Sequence, residues 1–147
     1  MDKLKLRATD IEDLAILSAI LQDALVTVGD MAYLPEENRF VLVANRFRWE
    51  PQPGEARQNF ERTLAGLCVD NVISIRRRGF HPREEERILS LLAIRPDVDD
   101  KPKALLLEFA GGGSIRLEVG QIMCHLDDLG EPWPTRWRPQ HPETEFE

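Results

Sequence analysis

The sequence predicts an α+β domain: an antiparallel bent sheet or barrel of about seven strands, opened by an N-terminal helix and capped by a C-terminal one. Three observations carry that expectation. A capped apolar pattern of helical spacing stands near the start, at residues 10–22. Short apolar segments of period two follow as far as residue 119, separated by turn residues. An amphipathic stretch at residues 121–129 then closes the series. One domain over residues 1–130 is expected, followed by a Pro/Trp-rich extended tail at 131–147.

Leu4, Leu6 and Ala8 alternate with polar residues, the pattern of a short half-buried strand. Thr9 and Glu12 have the spacing of a capping box, and Asp10 and Asp13 add the negative charge that a helix N-terminus favours. In the helix Leu14, Leu17 and Leu21 form one stripe, with Ile16 and Ile20 to its side. Strand segments at 24–28 and 31–34 flank Gly29-Asp30, and 35–38 is a turn. Residues 40–50 form the clearest strand. Val41, Val43, Asn45, Phe47 and Trp49 share one face; Phe40, Leu42, Ala44, Arg46 and Arg48 share the other. A loop-like stretch at 51–59 precedes strands at 63–69 and 72–78, broken at Asp70-Asn71. A polar loop at 79–86 leads to a strand at 87–95. The hairpin 104–109/114–119 turns through Ala110-Gly111-Gly112-Gly113. Ile122, Leu126 and Leu129 then give the final stretch its helical spacing, with Gly130 placed to stop it.

Composition narrows the function classes. Nineteen Lys and Arg against 26 Asp and Glu give a formal charge of −7, so no nucleic-acid partner is expected. No apolar run approaches the ~20 residues that span a bilayer, and Met1 to Arg7 lacks a signal-peptide core. A cytoplasmic protein without membrane contact is expected. Cys68 and Cys124 read as buried free thiols, and no Cys/His spacing of a metal motif is present, so neither metal nor cofactor is expected. The glycine turn lacks the Lys and the following helix of a phosphate-binding loop, and the need for positive φ explains its glycines.

The candidate binding residues are Arg46, Arg48, Trp49, Arg76, Arg78, His81, Trp133 and Trp137. Arg46 and Arg48 share one strand face, as do Arg76 and Arg78 on another strand. If those strands are neighbours, four guanidinium forks form a patch suited to carboxylate or phosphate, with Trp49 to stack on. His81 lies in a loop beside Arg83 and Glu84, with no nucleophile near it in the sequence. Cys124 and His125, adjacent on the closing helix that the spacing predicts, point apart, and Asp127 and Asp128 read as solvated helix charges. Trp133 and Trp137 either pack on their own domain or grip a partner; an exchange of tails in a homodimer would do both. No catalytic residue stands out. The expected function is a non-enzymatic binding or adaptor module that docks an acidic or phosphorylated partner through the arginines. The alternative is a small enzyme or metabolite sensor binding an anionic small molecule beside His81.

The order of antiparallel strands followed by one helix resembles pleckstrin-homology-like domains. Three stretches carry a second likeness: Leu21-Gln22-Asp23-Ala24 leading to Val28-Gly29-Asp30-Met31-Ala32-Tyr33-Leu34-Pro35; Asn45-Arg46-Phe47-Arg48-Trp49; and Phe109-Ala110-Gly111-Gly112-Gly113-Ser114-Ile115-Arg116-Leu117-Glu118-Val119. Together they resemble the bacterial, mainly alphaproteobacterial, family catalogued as domain of unknown function 2948, from Leu4 to about Pro139. That resemblance implies a small stand-alone cytoplasmic protein and brings no assigned activity, cofactor or catalytic residue.

Overall fold

The computed structural model describes residues 3–48, 61–97, 103–129 and the backbone of 133–134. Its elements are β1 (Lys5–Ala8), α1 (Ile11–Ile20), β2 (Leu25–Leu34), β3 (Arg39–Phe47), β4 (Glu61–Val69), β5 (Val72–Arg78), β6 (Ile88–Pro96), β7 (Ala104–Phe109), β8 (Ser114–Val119), β9 (Cys124–Asp128) and β10 (Trp133–Pro134). The strands pair antiparallel in the order β1-β9-β4-β3-β2-β6-β7-β8-β5, and β10 pairs with the start of β4 off that path.

β4 lies third in this order and β5 last, yet only Asp70 and Asn71 join them. A two-residue connection cannot cross a flat sheet of that width, so the sheet folds back on itself. Bonds at the crossing hold the fold-back. Asp70 N–H donates to Met123 O (2.9 Å), Val72 N–H to Asn38 O (2.9 Å) and Gly120 N–H to Asn71 O (3.0 Å). The half β1-β9-β4-β3-β2 and the half β6-β7-β8-β5 share one apolar core, built from residues such as Phe40, Leu42, Leu67, Leu126, Leu91, Leu107, Ile115 and Leu117.

Several elements follow the sequence pattern. The hairpin of β7 and β8 alternates buried and half-buried residues, and its turn places Gly111 and Gly112 at φ +86° and +96°. Those angles are costly for any residue with a Cβ. Leu14 and Leu17 of α1 and Leu21 at its C-cap, the expected stripe, are fully buried. Its cap lies one residue later than Thr9. Asp10 accepts from Asp13 N–H (2.8 Å), while the Asp13 carboxylate accepts from Thr9 N–H (3.3 Å). The helix runs beside β6, whose Ile94 N–H donates to Ser18 Oγ (2.9 Å). It thereby supplies a polar partner where β2 no longer pairs with β6. Residues expected as two strands about Gly29-Asp30 form one long β2, whose pairing with β3 shifts register between Val26 and Met31.

The expected fold class needs correction. The described residues are mostly β, 59% in strands and 15% helical, with nine strands in the main path where about seven were expected. Among the described residues no C-terminal capping helix is seen. The pleckstrin-homology-like reading loses the element it rested on. The stretch 121–129 contains β9, inserted between β1 and β4 and paired with both. Ile122 and Leu126 satisfy a period of two as well as a helical spacing, and the burial of Cys124 between them decides for the strand. Two neighbours offering backbone partners outweigh a local preference that was never strong. Among the described residues no helix is long and apolar enough to cross a membrane.

Inside the core end of β3 and β9 lies an ion pair. Arg46 donates from Nε to Asp128 Oδ1 (2.9 Å) and from Nη2 to Oδ2 (3.0 Å), and the side chains are 0% and 4% exposed. Leu4 N–H donates to the same Oδ2 (2.9 Å), and Arg46 Nη1 to Phe47 O (3.3 Å). Removing one partner strands a buried charge, which typically costs about 3–5 kcal/mol. Asp128→Ala and Arg46→Ala are each expected to lower the urea-unfolding free energy by about that amount. The double change Arg46→Met/Asp128→Leu is expected to lose much less than the sum. Single-variant losses under ~1 kcal/mol would mean that the pair acts as an ordinary surface bridge.

Candidate functional site

The four arginines do not form one patch. β3 and β5 sit in different halves of the folded sheet. Arg46 faces the core, bound to Asp128, and Arg48 is 8% exposed and donates to Glu61 Oε1 (2.8 Å). Arg76 and Arg78 lie exposed on β5, two residues apart and so on one face. Ser74, on that same face, donates from Oγ to Glu118 Oε1 (3.1 Å). Arg116 of β8 stands opposite Arg76 in register and donates to Asp97 Oδ2 (3.3 Å).

His81 belongs to a separate, largely self-contained polar loop. Its N–H donates to Glu84 Oε1 (2.7 Å), and its Nδ1 accepts from Arg83 N–H (3.0 Å). Arg87 bridges Glu84 and Gly79 O (both 3.3 Å). The His81 N–H, followed by the Arg87 charge, holds the Glu84 carboxyl below its usual range. Trp49 and Trp137 lie outside the described residues, as does the Trp133 side chain; the Trp133 backbone pairs with Arg62.

The densest chemistry lies where no sequence motif marked it. On the outward face of β4, Cys68 stands directly opposite His125 of β9. Asp70 lies two residues beyond Cys68, so strand period brings its carboxylate to the same face. One ligand atom from each of Cys68, Asp70 and His125 lies within 4.8 Å of the others. His125 Nδ1 is 3.7 Å from Asp70 Oδ2, and Cys68 Sγ is 3.8 Å from Asp70 Oδ1. Arg39, from the neighbouring β3, donates Nε to Asp70 Oδ1 (2.8 Å) and pins the carboxylate. All three side chains are partly exposed. Burial and then the Asp70 charge push the Cys68 thiol up, with Arg39 pulling the other way. Cys124, one residue from His125, points inward, and burial pushes its thiol up to about 12.

A family model described as protein of unknown function (DUF2948) matches residues 4–141. The chain belongs to that family. The likeness drawn from the Asp30, Trp49 and Gly112 stretches is thus borne out over nearly the whole length. No curated protein and no solved structure matches the chain. Since the DUF2948 description names no activity, roles for its residues come from geometry.

Sequence reasoning missed the Cys68–His125 pair for two reasons. The partners are far apart in the chain, and His125 was assigned to a helix. Reading 122–128 as a strand would have placed His125 outward but would not have named its partner. In metal-free native protein a thiol reagent is expected to modify Cys68, slowly because its thiol is held protonated, and to spare Cys124. Mass spectrometry should find the Cys124 adduct only after unfolding. Equal labelling of both thiols in the native state would contradict this placement.

Proposed function

We propose that the chain is a non-enzymatic binding module that docks an acidic or phosphorylated segment of a partner protein on the β5 face. The observation that carries this reading is that Arg76 and Arg78 are exposed side by side with no acidic partner among the described residues. By contrast Arg39, Arg46, Arg48, Arg87, Arg95 and Arg116 each hold a carboxylate. Two guanidinium forks on alternate strand positions suit the spacing of carboxylates on an extended segment. Recognition has to be local: the charge of −7 repels anions at long range, but at physiological salt that field is screened beyond ~8 Å. A cytoplasmic location fits this reading and the free thiols of Cys68 and Cys124. The metabolite-sensor alternative called on four converging arginines, and two of them are taken up by Asp128 and Glu61.

Fluorescence polarisation with labelled poly-Glu and phosphoserine peptides tests the proposal. Wild type is expected to bind at least one of them, and Arg76→Glu/Arg78→Glu to lose at least tenfold in affinity, about 1.4 kcal/mol. The melting temperature should hardly move, because exposed substitutions away from partners stay within about 0.5 kcal/mol. Binding should also weaken with added salt. Equal affinity of the variant, or no binding of any peptide by wild type, would overturn the assignment.

A further inference from the structure

We propose that Cys68, Asp70 and His125 form a binding site for one divalent ion of the zinc class. The ion would be held by Cys68 Sγ, Asp70 Oδ2 and an imidazole nitrogen of His125, with a fourth position open to solvent. Sulfur, imidazole and carboxylate are the donors that zinc takes, and three protein ligands leave the position that non-structural sites keep open. Tetrahedral bonds of 2.0–2.3 Å put ligand atoms roughly 3.3–3.5 Å apart. The His125 Nδ1–Asp70 Oδ2 separation of 3.7 Å is close to that before any ion draws the groups in; Cys68 Sγ lies 3.8 Å from the other carboxylate oxygen, Oδ1, and one donor atom from each of the three residues lies within 4.8 Å of the others.

The supporting frame is rigid. Cys68 and His125 sit on paired strands, and β9 is itself held between β1 and β4. Asp70 is fixed through its own N–H to Met123 O (2.9 Å). Arg39 occupies Oδ1 of the carboxylate and leaves Oδ2 toward the imidazole, the outer contact that orients a carboxylate ligand. Arg7 stands opposite His125 in register on β1, so the ion would enter a face that already carries cations. Two anionic ligands are therefore needed, and Cys68 and Asp70 supply them. On binding, the Cys68 S–H bond breaks, its proton passes to solvent and the thiolate bonds to the ion. A thiol nucleophile activated by His125 is the competing use of these residues. It fits less well, since the carboxylate nearest the sulfur favours a cation and opposes a bare thiolate.

Cobalt(II) serves as the probe. Full-length protein stripped with chelator is expected to bind one Co²⁺ per chain, giving a thiolate-to-cobalt charge-transfer band that Zn²⁺ then abolishes. Cys68→Ser should lose the band, and His125→Gln should weaken Zn²⁺ at least tenfold against a chromophoric chelator. Cys124→Ala should keep the band. Both ligand changes lie on an outward face, so unchanged melting of the metal-free variants separates lost binding from lost folding. No charge-transfer band in wild type, or the same band in Cys68→Ser, overturns the proposal. Neither result bears on the arginines of β5, which lie in the other half of the sheet.

Discussion

A guanidinium in the apolar core, clasped by a single carboxylate, constrains the whole architecture. Removing Arg46 and Asp128 from water is costly, and their attraction offsets that cost only with good geometry and with the remaining donors and acceptors satisfied. Both conditions hold. The pair is bidentate, Leu4 N–H reaches Asp128, and Phe47 O takes a further guanidinium bond. The interaction joins β3 to β9 across β4 and brings in the chain just before β1. It also fixes register, because a slip of one residue in β3 or β9 would turn a charge outward and leave its partner buried alone.

The same register creates the outward cluster. With Asp128 opposite Ala65 on the core side, alternation puts His125 opposite Cys68 on the other side. The short turn at Asp70-Asn71 ends β4 two residues past Cys68, with Asn71 at φ +62° and Asp70 beside Arg39. A buried ion pair and an exposed sulfur–imidazole–carboxylate group are thus two faces of one pairing. A strand that must satisfy a core on one side can carry chemistry on the other without disturbing its packing.

What could be read from the sequence follows from the range of each signal. The β7–β8 hairpin was legible because its alternation and its glycines are local. The α1 stripe was legible for the same reason, and the cap was misplaced by one residue because Thr9, Asp10, Glu12 and Asp13 offer two overlapping boxes. β9 was not legible: Ile122, Leu126 and Leu129 fit a helix, and its strand conformation comes from neighbours far away in sequence. β3 was seen as a strand, but both its faces are largely apolar. A charge at Arg46 argued for the solvent side, and only the distant Asp128 reverses that argument. Nothing local joins Cys68 to His125. The fold-back that parts β3 from β5, and so dissolves the four-arginine patch, is a property of strand order.

An acidic protein has carboxylates to spare, so an arginine without one needs a reason. One reason is defensive. β5 ends the strand order, and a charged end strand resists pairing with another copy of itself. That defence is selective, because like charges at Arg76 and Arg78 repel a second β5 far more than they repel an acidic segment. The feature that guards the edge against self-association therefore tilts it toward an anionic partner. Protection alone would be met by charges of either sign or by a paired cation. Among the described residues Arg7, Arg77 and Arg83 likewise show no carboxylate partner, but Arg76 and Arg78 are two exposed cations on one face of the strand that ends the order. That pairing is what favours a docking role for the β5 face.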